Sequence, residues 1–175
     1  MSNVTHIASP LGLYYFSLRL ADPRAHYLVH HIDHLRTCVS LARKARPFEV
    51  LDAVILPDQL HMIWLLGPED TDTSPRLRQI KSSFSRHLPV SEFLSDAQKR
   101  SREKGIWQRD NSEVRLRDLA DYEAHRSYMW RLPVAMGLVA SPSDWKFSSI
   151  HKNGAAEETT VHSRFKFQRT MSRTA

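Results

Sequence analysis

Two residues of this chain, His61 and Tyr128, are of types that do chemistry and lie far apart in the sequence. His61 falls in "VILPDQLHMIWLL", Val54 to Leu66, where two apolar runs are joined by a Pro-Asp turn signal. Alternation along a strand would put Gln59, His61, Ile63 and Leu65 on one face and Leu60, Met62, Trp64 and Leu66 on the other. Tyr128 falls in "LADYEAHRSYMWRLPV", where helical spacing aligns Asp121, His125, Tyr128 and Leu132. A helix tyrosine beside an ion-polarised phosphate can attack phosphorus and leave a phosphotyrosine link to DNA. That chemistry needs at least two strong ligands to seat the ion. His61 is one candidate and His125 a second, although spacing within one helix does not say whether His125 faces His61. Each residue also has a plainer role: His61 and Gln59 as polar sheet residues, Tyr128 as a core aromatic with its hydroxyl at the surface.

The elements that would have to position these groups read as β, α, β, β, α, β, α. "LGLYYFSLRLA" reads as a strand with Ser17 and Arg19 on one face, broken by "DPR". From Arg24 to Lys44 apolar residues recur at three and four, which predicts one helix of about five turns that Pro47 ends. "FEVLDAVILP" and "LHMIWLL" form an antiparallel hairpin of undetermined register. Ser74 before Pro75 opens a helix with Leu77, Ile80, Phe84 and Leu88 on one stripe and Arg76, Lys81 and Arg86 off it. "DAQKRSREKG" reads as a solvated connection, and "IWQRDNSEVRLRD" holds one or two short strands. Asp118 caps a helix running to about Arg131, before Pro133. The order is that of a ferredoxin-like α+β fold, an antiparallel sheet backed by helices, with C-terminal helical additions. Residues 1–152 form the domain, and 153–175 read as a flexible basic tail.

Composition narrows the partners. The chain has 175 residues, enough for one domain, and 41% of them are hydrophobic, which excludes wholesale disorder. No apolar run approaches the length that spans a bilayer, so the expectation is a cytoplasmic protein without membrane contact. The single cysteine, Cys38, excludes an intrachain disulfide and fits a buried small side chain. Net charge is +6, and residues 76–117 alone carry 11 Lys and Arg against 5 Asp and Glu. A basic middle segment favours a polyanion through counterion release. Lys81, Arg86, Arg109, Arg115 and Arg117 are its candidate phosphate contacts or, equally, solvated charges. The four tryptophans could stack bases, but each has core-like neighbours, which favours packing.

The pieces "VILPDQLHMIWLL", "RLRQIKSSFSR", "IWQR", "RLRDLADYEAHRSYMWRLPVAMGLV" and "SDWKFSSIHK" resemble, in order and spacing, the REP-associated tyrosine transposases of the HUH class, over residues 14 to about 152. The resemblance implies a ferredoxin-like fold and a His-hydrophobic-His pair holding Mg²⁺ or Mn²⁺. It also implies a helix tyrosine as nucleophile and cleavage and rejoining of single-stranded DNA near palindromic hairpins. By position the second histidine of the pair is His61 and the nucleophile is Tyr128, with His125 keeping the family context. Three positions depart from the pattern. Gln59 stands in place of the first histidine, Leu132 in place of a usual asparagine, and Val114 where histidine is common, beside a retained Glu113. Such losses imply weak ion affinity. A rescued site would combine Gln59 and His61 with a carboxylate, Glu113 or Asp121. The expectation is therefore a metal-dependent DNA strand transferase or, alternatively, a catalytically impaired binder of single-stranded or hairpin DNA, acting as a monomer or homodimer.

Overall fold

The computed structural model describes residues 12–152 apart from 68, 69 and 93; the expected tail, 153–175, lies outside the described residues. Four strands, β1 (Leu13–Arg19), β2 (Glu49–Ile55), β3 (Gln59–Leu65) and β4 (Ser112–Arg115), form one antiparallel sheet in the order β2-β3-β1-β4. This is the ferredoxin-like order expected from the element sequence. Gly12 enters β1 at a φ of +55°, where a Cβ would sit 2.8 Å from the Leu66 carbonyl oxygen, so only glycine fits.

Helices α2 (Ile32–Ala45) and α3 (Ser74–Ser85) cover one face of the sheet. Leu35, Cys38, Leu77, Ile80 and Phe84 pack there on Phe16, Leu18, Leu60, Met62 and Trp64. Helix α5 (Leu119–Ala135) covers the other face, where Tyr122 and Met129 meet Leu13, Tyr15, Val54 and Ile63. The strand alternation read from "QLHMIWL" is therefore the division between two cores. No described helix is long and apolar enough to cross a membrane.

Several local expectations change. The helix predicted from Arg24 is a single turn, α1 (Tyr27–His30), then a break at His31 before α2; no contact explains the break. Helix α3 is capped from Thr73 rather than Ser74, and the Thr73 hydroxyl donates to Glu113 instead of closing the helix end. Arg76 lies buried rather than off the apolar stripe. It donates to the Arg46, Pro47 and Asp72 carbonyls, pairs with Asp70, and stacks over Phe48. The polar connection contains a short helix, α4 (Asp96–Arg100), held by a Ser95–Gln98 capping box. Helix α5 runs through Pro133 because the missing N–H falls in its last turn, where a single backbone bond is lost and the ring is buried.

The hairpin register, open in the sequence, contains a bulge between Val50 and Asp52. An extra residue lets Leu51 and Asp52 both face α5. Asp52 is thereby fully buried, accepting bonds from the Tyr122 hydroxyl at 2.7 Å and the Ser149 hydroxyl at 2.9 Å. Ser149 belongs to a C-terminal strap, with 3-10 turns at Pro142–Asp144 and Ser149–His151, that crosses the β2 edge. The Ile55 amide donates to the Phe147 carbonyl, and the Trp145 indole donates to the Ile55 carbonyl at 2.8 Å. Strap, bulge and α5 form one hydrogen-bonded clamp, which fixes the helix that carries His125 and Tyr128.

Candidate functional site

The antiparallel register sets Ser17 opposite both His61 and Ser112, and Arg19 opposite Gln59. Side chains of Tyr15, Ser17, Arg19, Gln59 and His61 therefore rise from the α5 face of the sheet. Helix α5 brings His125 and Tyr128 over them. The Tyr128 ring stands edge-on to His61 with 6.4 Å between ring centroids, and its side chain is 50% exposed. The His125 ring lies 4.9 Å from that of Tyr15. An open cleft of about 400 Å³ is lined by Tyr15, Ser17, Arg19, Ser112, Ala124, His125 and Tyr128.

Hydrogen bonding orients both histidines. His61 is buried, with the Tyr15 hydroxyl 2.8 Å from Nδ1 and the Gln59 Oε1 atom 3.3 Å from Nε2. An amide oxygen only accepts, so Nε2 holds the proton and Nδ1 accepts from Tyr15. Burial, helped by the Arg19 guanidinium, pushes the His61 pKa down to about 4, so the ring is neutral near pH 7. Burial first, and then Tyr128, push the Tyr15 hydroxyl up to about 12, which keeps it a donor. In His125 the Nδ1 atom lies 2.8 Å from the Asp121 carbonyl oxygen, which makes Nδ1 a donor.

The proposed ion ligands do not come together. Glu113 is the register partner of Phe16, which places it on the opposite face of the sheet from His61, bonded to Thr73. Asp121 is taken by Arg117 through contacts of 2.6 and 2.9 Å, and that guanidinium holds its carboxyl down at about 2. Leu132 packs against the α5 core. What remains is His61, whose two nitrogens are both engaged, the Gln59 amide oxygen, and His125, which holds the Asp121 carbonyl through Nδ1 and lines the cleft without a carboxylate beside it. Among the described residues no group of three or more His, Cys, Asp or Glu side chains is placed to hold an ion. Mg²⁺ and Mn²⁺ favour oxygen donors, above all carboxylates, and a set with one amide oxygen, no carboxylate and a His61 already engaged at both nitrogens does not fit them.

A second concavity, of about 860 Å³, lies between α3 and the segment before β4. Lys81, Arg86 and Arg109 line it, together with Arg78, Arg102 and Lys104, which the sequence reading passed over. Lys81 donates to the Gln108 carbonyl and the Asn111 side chain, and Lys104 to the Arg86 and Leu88 carbonyls, so the cations also brace the wall. Burial lowers the Lys81 pKa. Arg109 lies 3.6 Å from Glu103. Arg115 and Arg117 stand apart from this groove: Arg115 stacks over Tyr14 and Arg117 pairs with Asp121.

The tryptophans pack. Trp64 is fully buried, Trp107 donates to Lys81 and Ser85, Trp130 stacks on Arg126, and Trp145 serves the strap. Sequence reasoning missed Tyr15 and Arg19 as site residues. Their alternation was legible, but the pairing of β1 with β3 that brings them beside His61 was not.

No protein-family profile matches the chain. A Haemophilus influenzae protein assigned to the REP-associated tyrosine transposases is 35% identical over 159 residues, spanning 90% of both chains. The Escherichia coli K12 REP-associated tyrosine transposase is 33% identical over 144 residues, covering 82% of this chain and 79% of its own. A solved REP-associated tyrosine transposase bound to a REP hairpin superposes with a TM-score of 0.69 at 33% identity, covering 81% of this chain and 78% of that one.

Proposed function

Because the chain belongs to the REP-associated tyrosine transposases, we propose that it binds single-stranded or hairpin DNA and does not cleave it efficiently. The observation that carries this reading is the contrast between its two concavities. The groove between α3 and β4 carries six lysines and arginines against three carboxylates, Glu103, Asp110 and Glu113, whereas the face beneath Tyr128 carries two hydrogen-bonded histidines, His61 and His125, and no carboxylate. In the groove, Lys81, Arg86 and Arg109 would neutralise backbone phosphates and release their counterions. The solved relative bound to a REP hairpin supports the class of partner.

A fluorescence anisotropy titration of a labelled hairpin with a single-stranded flank tests the reading. Three phosphate contacts predict an affinity that falls roughly 20- to 40-fold between about 50 and about 200 mM salt. Arg86→Gln and Arg109→Gln should each lower the salt slope by about 1. Affinity independent of salt in the intact chain would rule the binder out.

A second reading has one observation in its favour. Tyr128 is half exposed and faces His61, as metal-dependent cleavage and rejoining through a 5′-phosphotyrosine would require. Incubation of the hairpin with Mn²⁺, read on a denaturing gel, separates the two. A covalent adduct that disappears in Tyr128→Phe would establish cleavage; tight binding with no adduct supports the binder.

A further inference from the structure

The cleft below Tyr128 lacks the donors for a divalent ion, yet it is not without charge. Arg19 supplies its one permanent charge, since the other lining side chains are Tyr15, Ser17, Ser112, Ala124, His125 and Tyr128. The Arg19 guanidinium forms no ion pair among the described residues and is exposed. Its direct neighbour across β3 is the uncharged Gln59. Around it are the hydroxyls of Tyr128, Ser17 and Ser112, which donate hydrogen bonds as readily as they accept them, while the Tyr15 proton is already given to His61. An unpaired arginine set among hydroxyl donors, with no carboxylate lining the cleft, is the chemistry of an oxyanion site.

Continuity with the basic groove identifies the oxyanion. The Gln108 amide donates to the Arg19 carbonyl at 2.9 Å, so the groove wall and the end of β1 are joined directly. On β4, Ser112 opens into the cleft while its neighbours Asn111 and Glu113 line the groove. A strand lying in the groove reaches the cleft by passing one four-residue strand whose side chains are all exposed.

We propose that Arg19 binds a phosphate of single-stranded DNA in the Tyr128 cleft, without any metal ion, in the place where a divalent cation would otherwise have to neutralise that charge. This rests on the DNA-binding reading above and deepens it. The phosphate is either a strand's 5′-terminal monoester or an internal diester, and both present anionic oxygens to the guanidinium.

The test uses the full chain in EDTA, with the flanked hairpin carrying a neutral methylphosphonate at each flank position in turn. For a diester, one position is expected to cost about 10-fold in affinity, the effect of losing one charge-assisted contact, and for a terminal monoester omission of the 5′-phosphate has that effect. In Arg19→Gln the unmodified hairpin should bind about 10-fold more weakly, and the methylphosphonate at that position should then cost nothing further. Arg19→Lys should recover part of the loss, because a point charge replaces the planar fork. A parallel pair of probes, 5′-phosphorylated and 5′-hydroxyl, assigns the phosphate: an Arg19 dependence confined to the former means the terminal monoester, and one seen with both means the diester. The proposal is overturned if Arg19→Gln binds both the 5′-phosphorylated and the 5′-hydroxyl probe like the parent, if an Arg19 dependence seen with both probes is the same at every methylphosphonate position, or if tight binding requires added Mg²⁺ or Mn²⁺. Arg86→Gln distinguishes this from failure of the underlying reading. If the groove variant weakens binding and Arg19→Gln does not, only the Arg19 site is wrong; if the parent chain binds no DNA, both readings fall.

Discussion

Replacing Tyr122 by phenylalanine removes one oxygen from the clamp that seats α5. The ring stays in its pocket, so the buried apolar area is unchanged and the effect isolates the hydroxyl. That hydroxyl donates at 2.7 Å to Asp52, whose side chain is completely buried. The bond matters in both directions. Burial, followed by the Asp52 carboxylate, drives the Tyr122 pKa well above the usual tyrosine range, so the group is a fixed donor at every accessible pH. A hydrogen bond to a charged acceptor contributes about 1.5–3 kcal/mol, and removing its donor underneath a buried carboxylate puts the loss at the upper end. For a chain of this size that corresponds to a fall in Tm of about 3–12 °C. Urea unfolding of the parent and of Tyr122→Phe, followed by tryptophan fluorescence, gives the difference directly. Ser149→Ala removes a second donor to Asp52, and because the two share one acceptor their effects should not add. A loss below about 0.5 kcal/mol for Tyr122→Phe, or strict additivity with Ser149→Ala, would refute the clamp.

Three further outcomes are expected. The native His61 pKa of about 4 lies below the unfolded value of about 6.5, so between them the unfolded chain binds a proton that the native chain refuses. Stability therefore falls as pH drops from about 6.5 to about 4, by up to about 3 kcal/mol, and a His61→Gln variant followed by urea titration should lose that part of the acid limb. Arg76→Gln should cost about 2–3 kcal/mol in the same assay, since it leaves three backbone carbonyls and Asp70 short of a buried cation. A Gln59→His variant places a second imidazole beside His61 and should raise Mn²⁺ affinity at least about 10-fold by isothermal titration calorimetry; no change would mean that the Tyr15 bond to Nδ1 does not leave His61 free to ligate.

The sequence shows some parts of this molecule well and others poorly, for physical reasons. Strand β3 was readable because its two faces enter two different cores, which makes alternation a strong constraint. Helix α3 was readable from its apolar stripe. Its buried Arg76 was not, because an arginine becomes a core residue only when backbone carbonyls from a distant turn converge on it. The same holds for Glu113. Whether it sides with His61 depends on strand register, and a shift of one residue moves it through the sheet. The bulge at Leu51 leaves no mark in the amino-acid pattern, yet without it Asp52 would point away from Tyr122. The basic groove is half visible: Lys81, Arg86 and Arg109 follow from charge density, while Arg102 and Lys104 lie in a segment that reads as solvated and join the groove only because the chain folds back on α3.

The strap has a consequence for the order of assembly during synthesis. Its bonds close over long sequence distances, Ser149 to Asp52 across 97 residues and Trp145 to Ile55 across 90. Every residue of the sheet and of the basic groove precedes position 116. As the chain leaves the ribosome, the sheet and groove can therefore form while the face that will hold Tyr128 is still bare, with Asp52 open to water. Long-range closure is slow, so the basic groove can take shape on a nascent chain before its tyrosine is seated.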